Sequence, residues 1–347
     1  MTLKRAVLSF AAVWVAAVTG LHLWLNPGLR SASGPGGARA AFRVGFLPVT
    51  CHLTCPVTDF IQRALTGAGP FEPIRFNGWP ELKEAFLAGT MPATFLLAPL
   101  AISLREQGVA LKIVYLGHRD GTAMMVHRDS GIFRIEDLRG KRIAVPNRFS
   151  NQHLLLYRAF RARGMSVRDV ELVEMAPPDM PASLYARAVD AVTSGEPFMG
   201  QTELDGYGRV LYLTKDVWPD FISCVLAVHE GAIRDQRPAV QELVDGIARS
   251  GLWLEGGLPH RMQAARFVAE QYYHQHPRLL SFVLSKPPDR VKYSNLRLVR
   301  RDFEEIEALG REAGILAGTA HFDDYADPSF VPDEAGSAPW AFEAEPS

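Results

Sequence analysis

The chain has 347 residues, of which 48% are hydrophobic and 22% are charged, as in an ordinary globular protein. This composition excludes intrinsic disorder, a collagen-like repeat and a polytopic membrane protein. The 37 basic and 38 acidic residues nearly balance, so the chain lacks the overall positive charge that is typical of nucleic-acid-binding proteins. The length allows two domains.

The first 41 residues differ from the rest of the chain. Lys4 and Arg5 precede an apolar run over residues 6–25, and a tract rich in Gly, Ser, Pro and Ala follows. This pattern indicates an export signal peptide, or an uncleaved membrane anchor of similar length, followed by a linker. We therefore expect a periplasmic or otherwise extracytoplasmic protein, either released or held at the inner membrane by residues 6–25.

Beyond the linker, short apolar runs alternate with amphipathic stretches, which predicts an α/β fold. Strands are predicted over residues 42–49, 72–76 and 93–98, with helices over 56–65 and 80–87 between them. Three strands separated by helices imply a mostly parallel sheet with helices on its faces.

A second alternation follows two adjacent strands over residues 111–116 and 122–127. Its strands are predicted over residues 141–146, 170–175 and 190–194, with helices over 150–163 and 181–188. An apolar strand over residues 221–228 then returns the chain to the first lobe, before helices over 238–253, 261–273 and 301–312. We assign residues 42–125 and 219–322 to lobe one, 126–218 to lobe two, and 323–347 to an acidic, flexible, solvated tail.

Polar loops follow several predicted strands, and open α/β sheets bind ligands at the carboxyl ends of their strands. These loops are candidates for a binding cleft between the lobes. Their chemistry-bearing residues include Thr50, Cys51 and His52 after the first strand, Trp79 after the second, Ser150 and His153 in lobe two, and Glu196 after its last strand.

Four segments together resemble the nitrate, bicarbonate and sulfonate binding proteins of ABC importers. They are NGWPELKEAFLAGTMPATFLLAPL at residues 77–100, GKRIAVPNRFSNQHLLLYRAFRARG at 140–164, APP at 176–178 and SGEPF at 194–198. The resemblance covers residues 42–232 and rests on the order and spacing of these segments. It implies the type II periplasmic binding protein fold, a two-lobed clamshell with a mostly parallel, helix-flanked sheet in each lobe.

The resemblance also implies roles for single residues. Trp79 matches a tryptophan that lines the ligand pocket in the nitrate-binding members. The alternative is that Trp79 only packs at the start of a helix. Ser150 and His153 match residues at the start of a lobe-two helix, where the imidazole would donate a hydrogen bond to an oxyanion. Glu196 matches a Gly-Glu-Pro motif, where capping the next helix or holding the hinge is the favoured role. Thr122 stands where nitrate-binding members have a glutamine, which argues against nitrate because an amide donor is lost.

The candidate ligand-binding residues are therefore Thr50, Cys51, His52, Trp79, Thr122, Ser150, His153 and Glu196. No catalytic residue, resident metal or cofactor is assigned. Three alternatives stay open for the cysteines: a local disulfide between Cys51 and Cys55, free packed thiols, or a metal site with His52 or Cys224 as a third ligand.

The leading function is a non-enzymatic solute-binding component of an ABC importer, which captures a small anion of the sulfonate, nitrate or bicarbonate type. Its partners would be the solute, a permease and its ATPase, with no nucleic acid. The alternatives are a binding protein for a thiamine-pyrimidine precursor or another small heteroaromatic compound, an enzyme related to thiamine-pyrimidine synthases, and a membrane-held sensor.

Overall fold

The computed structural model of the protein describes residues 42–332 and 338–343, together with Trp14 and Val18. Apart from those two residues, the predicted export signal or anchor and its linker lie outside the described residues. Within the described part of the chain, no helix combines the length and the apolar character that a membrane crossing requires.

Eleven strands are present in the described residues, and we number them in chain order. They are β1 (Arg43–Phe46), β2 (Glu72–Arg75), β3 (Ala93–Leu97), β4 (Leu111–Asp120), β5 (Thr122–His127), β6 (Arg142–Val145), β7 (Glu171–Glu174), β8 (Ala191–Gly195), β9 (Gly208–Leu213), β10 (Ile222–His229) and β11 (Val291–Lys292).

The strands form two sheets, one in each lobe. The first has the order β11-β4-β10-β3-β1-β2, in which β1, β2 and β3 are parallel and β10 is antiparallel to both of its neighbours. The second has the order β7-β6-β8-β5-β9, in which β6 is parallel to β7 and β8 while β5 is antiparallel to β8 and β9. The predicted two-lobed α/β architecture is confirmed.

The helices flank these sheets. They are α1 (Thr54–Thr66), α2 (Trp79–Leu87), α3 (Ala98–Glu106), α4 (Asn151–Arg161), α5 (Met180–Tyr185), α6 (Phe198–Leu204), α7 (Thr214–Val217), α8 (Glu230–Glu255), α9 (Leu258–Val268), α10 (Pro277–Ser285), α11 (Arg300–Glu312) and α12 (Phe322–Tyr325). The sequence did not predict α3, α6 or α10. In α3 the first seven residues are all buried, so this helix lacks the polar face that reveals a helix in sequence.

The chain passes from the first sheet to the second through one residue, Gly121. Its φ of +65° suits glycine, and a Cβ atom here would lie 2.6 Å from the His118 ring.

The sequence placed the lobe boundary between residues 125 and 126. In the structure β5 begins at Thr122 and pairs only within the second sheet, so that sheet starts four residues earlier.

The acidic C-terminal segment is not a solvated tail over its described part. Tyr325 and Phe330 are fully buried, and Trp340 is 9% exposed. The Tyr325 hydroxyl donates a hydrogen bond to Glu307 at 2.6 Å, and the Trp340 indole N–H donates to Ser250 at 2.9 Å. The prediction is wrong for these residues because a few well-spaced aromatic side chains anchor a segment whose average composition is polar.

Candidate functional site

A cleft of about 500 Å³ opens where the carboxyl ends of strands from both sheets meet, and we call it the outer cleft. Lobe one contributes the residues after β1 and β2, and lobe two contributes those after β6 and β7. The lining residues are Pro48, Arg75, Asn77, Gly78, Trp79, Pro80, Glu81, Pro146, Asn147, Glu174, Met175, Ala176, Pro178, Asp179, Phe198 and Gln275. This is the location that the strand-end argument predicts.

A second, much smaller space lies beside it, and we call it the inner cavity. Its volume is about 10 Å³, which is room for at most one water molecule. It is lined by Val49, Cys51, Trp79, Leu97, Pro146, Gln152, Pro177, Ser194, Gly195, Ser223 and Cys224. The lobes are therefore closed on each other here, and a solute head group would have to widen this space.

Trp79 lines both spaces. It is the first residue of α2, only 3% exposed, and its ring packs edge-on against His52 with ring centroids 5.5 Å apart. Its indole N–H has no hydrogen-bond partner among the described residues. A buried N–H without a partner costs free energy, so Trp79 is a ready donor to a solute acceptor.

Gln152 is a cavity residue that the sequence interpretation did not select. It lies in the first turn of α4, is 1% exposed, and donates through Nε2 to the Thr122 hydroxyl at 3.1 Å. Its Oε1 has no partner in the described structure. A side-chain amide is thus held beside Thr122 from another element, and the expectation that nitrate is not the solute stays a prediction.

Ser150 and His153 mainly serve the local structure of α4. The Ser150 hydroxyl caps the helix by accepting from the His153 backbone N–H at 3.1 Å. His153 is 8% exposed, and its Nδ1 lies 2.7 Å from the Arg148 carbonyl, to which it donates. Burial lowers the pKa of His153, so the ring is neutral and its Nε2 is an acceptor rather than a donor to an anion. Neither residue is among those that line the two spaces.

Thr50 and Glu196 connect the lobes instead of lining the cavity. The Thr50 backbone N–H donates to the Glu196 carbonyl at 2.7 Å, across the lobe junction. The Thr50 hydroxyl contacts His118 Nε2 at 3.0 Å, and burial lowers the pKa of His118 to about 4, so this imidazole is neutral.

The Glu196 carboxylate is fully occupied by the protein. One oxygen pairs with Arg290 at 2.9 Å, and the other accepts from the Gly200 backbone N–H at 2.7 Å in the first turn of α6. Burial raises the pKa of Glu196, although Arg290 opposes the shift. The hydrogen bond from Gly200 agrees with the capping role favoured from sequence, and the hinge role stays a prediction.

The three cysteines are free and buried. Cys51 Sγ lies 2.9 Å from Cys224 Sγ, whereas Cys55 lies near Asp59 and burial raises its pKa. Together Cys51, Cys224 and one ring nitrogen of His52 lie within 4.8 Å of one another. Of the eight candidate ligand-binding residues, Cys51 and Trp79 are among those that line the inner cavity, while His52 packs behind Trp79.

The two spaces differ in charge. The outer cleft has one basic residue, Arg75, against the acidic Glu81, Glu174 and Asp179. The inner cavity, as far as residues 42–332 describe it, is lined by apolar residues, uncharged polar residues and the two thiols, with no Lys or Arg. The arrangement can therefore hold a small oxyanion on neutral donors inside and a positive group outside.

Comparison with protein families matches residues 37–270 to the model of the NMT1-like family. Among curated proteins, the taurine-binding periplasmic protein of Escherichia coli (strain K12) is 30% identical over 198 residues, which covers 50% of this chain and 61% of the relative. The chain thus spans less than two thirds of that relative. Sulfonate-binding and nitrate-binding proteins are also among the matches.

Solved structures share the fold. A ligand-binding component of an ABC-type import system from Staphylococcus aureus, with zinc bound, has a TM-score of 0.75 at 23% identity and covers 84% of this chain and 98% of its own. The desulfurization enzyme DSZB has a TM-score of 0.59 at 20% identity, with 84% and 98% coverage. These identities show the fold alone. The resemblance to binding proteins of ABC importers is confirmed, and the same fold also serves an enzyme.

Proposed function

Because this chain belongs to the NMT1-like family, we propose that it is the solute-binding component of an ABC importer and captures a small organic sulfonate between its lobes. The observation that carries the proposal is that Trp79, whose buried indole N–H has no partner among the described residues, lines the inner cavity together with Gln152. A sulfonate oxygen would satisfy this buried donor.

The lining of the inner cavity, over the described residues, contains no Lys or Arg, which favours a monovalent oxyanion over a dianion. A sulfonate spreads one charge over three oxygens, and each can accept a hydrogen bond from an uncharged donor. A dianion without a Lys or Arg partner in the inner cavity would pay a larger desolvation cost. If the Gln152 amide were rotated, the Thr122 hydroxyl would donate to Oε1. Both amide N–H groups would then point away from Thr122 and could donate to a solute.

The acidic outer cleft favours a positive group on the same solute. Glu81, Glu174 and Asp179 line the space directly outside Trp79, opposed by Arg75 alone. A short aminosulfonate of the taurine type would place its sulfonate inside and its ammonium group near these carboxylates. The taurine-binding relative supports this class of solute.

We assign no chemical step to the protein in this function. Its partners would be a permease and an ATPase, and its location would be extracytoplasmic, as for the relative named as periplasmic. The fold would act by closing on the solute, which has to favour the closed state through differential contacts.

Calorimetric titration of the full chain tests the proposal. We expect taurine to bind, ethanesulfonate to bind about tenfold more weakly because it lacks the ammonium group, and nitrate and a thiamine pyrimidine to bind more weakly still. In the variant Glu174→Gln the difference between taurine and ethanesulfonate should shrink. Tightest binding of nitrate or of the pyrimidine, or conversion of taurine to a new compound detected by NMR, would overturn the proposal.

A further inference from the structure

Two buried thiols from distant parts of the chain meet at the inner cavity. Cys51 lies in a single 3-10 turn, Thr50–His52, after β1, and Cys224 lies in β10, between β3 and β4 in the first sheet. Their sulfur atoms are 2.9 Å apart, and a disulfide bond is about 2.0 Å long, so a movement of about 1 Å would join them. Both residues line the inner cavity, which gives reagents a route to them when the lobes open.

The two thiols differ in acidity. Burial opposes ionisation of Cys51, but the hydrogen bond from Cys224 and the N–H of the neighbouring His52 ring outweigh it and lower the pKa of Cys51. Burial and the adjacent Cys51 sulfur raise the pKa of Cys224. Cys51 therefore ionises more readily, and Cys224 keeps its proton. An attacking cysteine and a resolving cysteine differ in the same way.

The hydrogen bonds of His52 argue against a three-ligand metal site. The Leu47 backbone N–H donates to His52 Nδ1 at 2.7 Å, so Nδ1 is the acceptor and Nε2 carries the proton. Neither nitrogen then has a free lone pair for a metal. Two sulfurs without a third ligand are a poor site for zinc, which is normally four-coordinate.

We propose that Cys51 and Cys224 form a redox-active thiol pair that closes to a disulfide by exchange with a low-molecular-weight disulfide. The Cys51 thiolate attacks one sulfur of the small disulfide and releases one small thiolate, which leaves a mixed disulfide on Cys51. Cys224 then loses its proton and attacks the Cys51 sulfur, which releases the second small thiolate. The protein pair is oxidised by two electrons and the small disulfide is reduced to two thiols.

A Cys51–Cys224 disulfide would restrain the Thr50–His52 turn, which contacts the second lobe. The turn that contains Cys51 also contains Thr50, whose backbone N–H donates to Glu196 across the lobe junction. Joining this turn to β10 would fix it against the first sheet. Oxidation would therefore change the lining of the inner cavity and, at the same time, restrict the turn that makes the Thr50 to Glu196 contact.

The test uses the full, reduced chain treated with cystamine, a small disulfide whose ammonium groups suit the acidic outer cleft. Of the three cysteines, two should become unavailable to a thiol reagent after denaturation, and the intact mass should fall by about 2 Da. Peptide mapping should show a Cys51–Cys224 crosslink. In Cys224→Ser, one cysteamine should instead stay attached to Cys51, whereas Cys55→Ser, which also removes a buried thiol, should form the crosslink as the natural chain does.

Three results would overturn the proposal, and none requires a variant to fold or a solute to bind. All three thiols could stay titratable with no change in mass. The crosslink could join Cys55 instead. The purified chain could also hold one equivalent of zinc that blocks the exchange, which would make the pair a metal site. Failure of taurine binding would leave the mass and thiol counts unaffected, so the two proposals are tested separately.

Discussion

Gln152 and His153 are neighbours in the first turn of α4, yet only Gln152 lines the inner cavity. Successive residues on a helix point about 100° apart, so the choice between them depends on how the helix is rotated against the sheet. That rotation is a tertiary property. The sequence predicted the helix, but the histidine was favoured because the family resemblance matched His153, and not Gln152, to a residue at the start of this helix.

The replacement Gln152→Glu tests the inner cavity at the scale of one residue. It keeps the side-chain shape but removes the amide donor and adds a negative charge beside the expected sulfonate. We expect taurine affinity to fall by at least about tenfold, equivalent to 1.4 kcal/mol. Gln107→Glu, at an exposed position just after α3, is the matched control and should bind normally. Equal affinity of both variants would remove Gln152 from the site.

His118 gives a prediction about pH. Burial lowers its pKa from 6.5 to about 4, so below pH 6.5 the unfolded chain takes up a proton that the folded chain does not. The free energy of unfolding should therefore decrease as pH falls from 6.5 to 4, with about 3 kcal/mol attributable to this group.

Urea denaturation across this pH range measures the effect. The variant His118→Gln can keep a hydrogen bond to Thr50 without titrating, so its stability should depend less steeply on pH than that of the natural chain. His274→Asn, at an exposed position whose positive φ suits asparagine, should keep the natural slope. Identical slopes for the natural chain and His118→Gln would contradict the assigned pKa.

Local sequence signals were enough to predict elements of regular pattern. β5 was predicted with the observed bounds, Thr122–His127, and the alternation of strands and helices predicted both sheets. Elements stabilised mainly by tertiary contacts were missed, among them the fully packed start of α3 and the two-residue β11. The meeting of Cys51 with Cys224, 173 positions away, has no local signal at all.

The crossing at Gly121 joins the two sheets through one residue with a left-handed backbone conformation. Alanine at this position would have to adopt a φ of +65° and place its Cβ atom 2.6 Å from the His118 ring. Gly121→Ala should therefore lower the free energy of unfolding by about 1–3 kcal/mol in urea denaturation. Gly131→Ala, which has open space around it and no positive φ, should change it by less than about 0.5 kcal/mol. An equally small change in the free energy of unfolding for both variants would mean that the backbone at Gly121 is not constrained in this way.

At the scale of the whole molecule, the two lobes leave an outer cleft of about 500 Å³ and an inner cavity of about 10 Å³. The second volume is too small for a sulfonate, so under the proposed function the lobes would separate before the solute enters and close again around it. Polar contacts link the lobes, among them the Thr50 to Glu196 hydrogen bond and the ion pair between Glu196 and Arg290. On the proposed function, such contacts would hold the hinge while the cleft changes width.

A crystal structure of the protein grown with taurine tests the central claim most directly. We predict sulfonate oxygens about 2.7–3.2 Å from Trp79 Nε1 and from a Gln152 amide nitrogen, in an inner cavity widened to hold them, with the ammonium group facing Glu81, Glu174 or Asp179. Taurine bound elsewhere, or crystals in which the inner cavity stays closed and empty at saturating taurine, would contradict the claim that this protein holds its solute between the lobes.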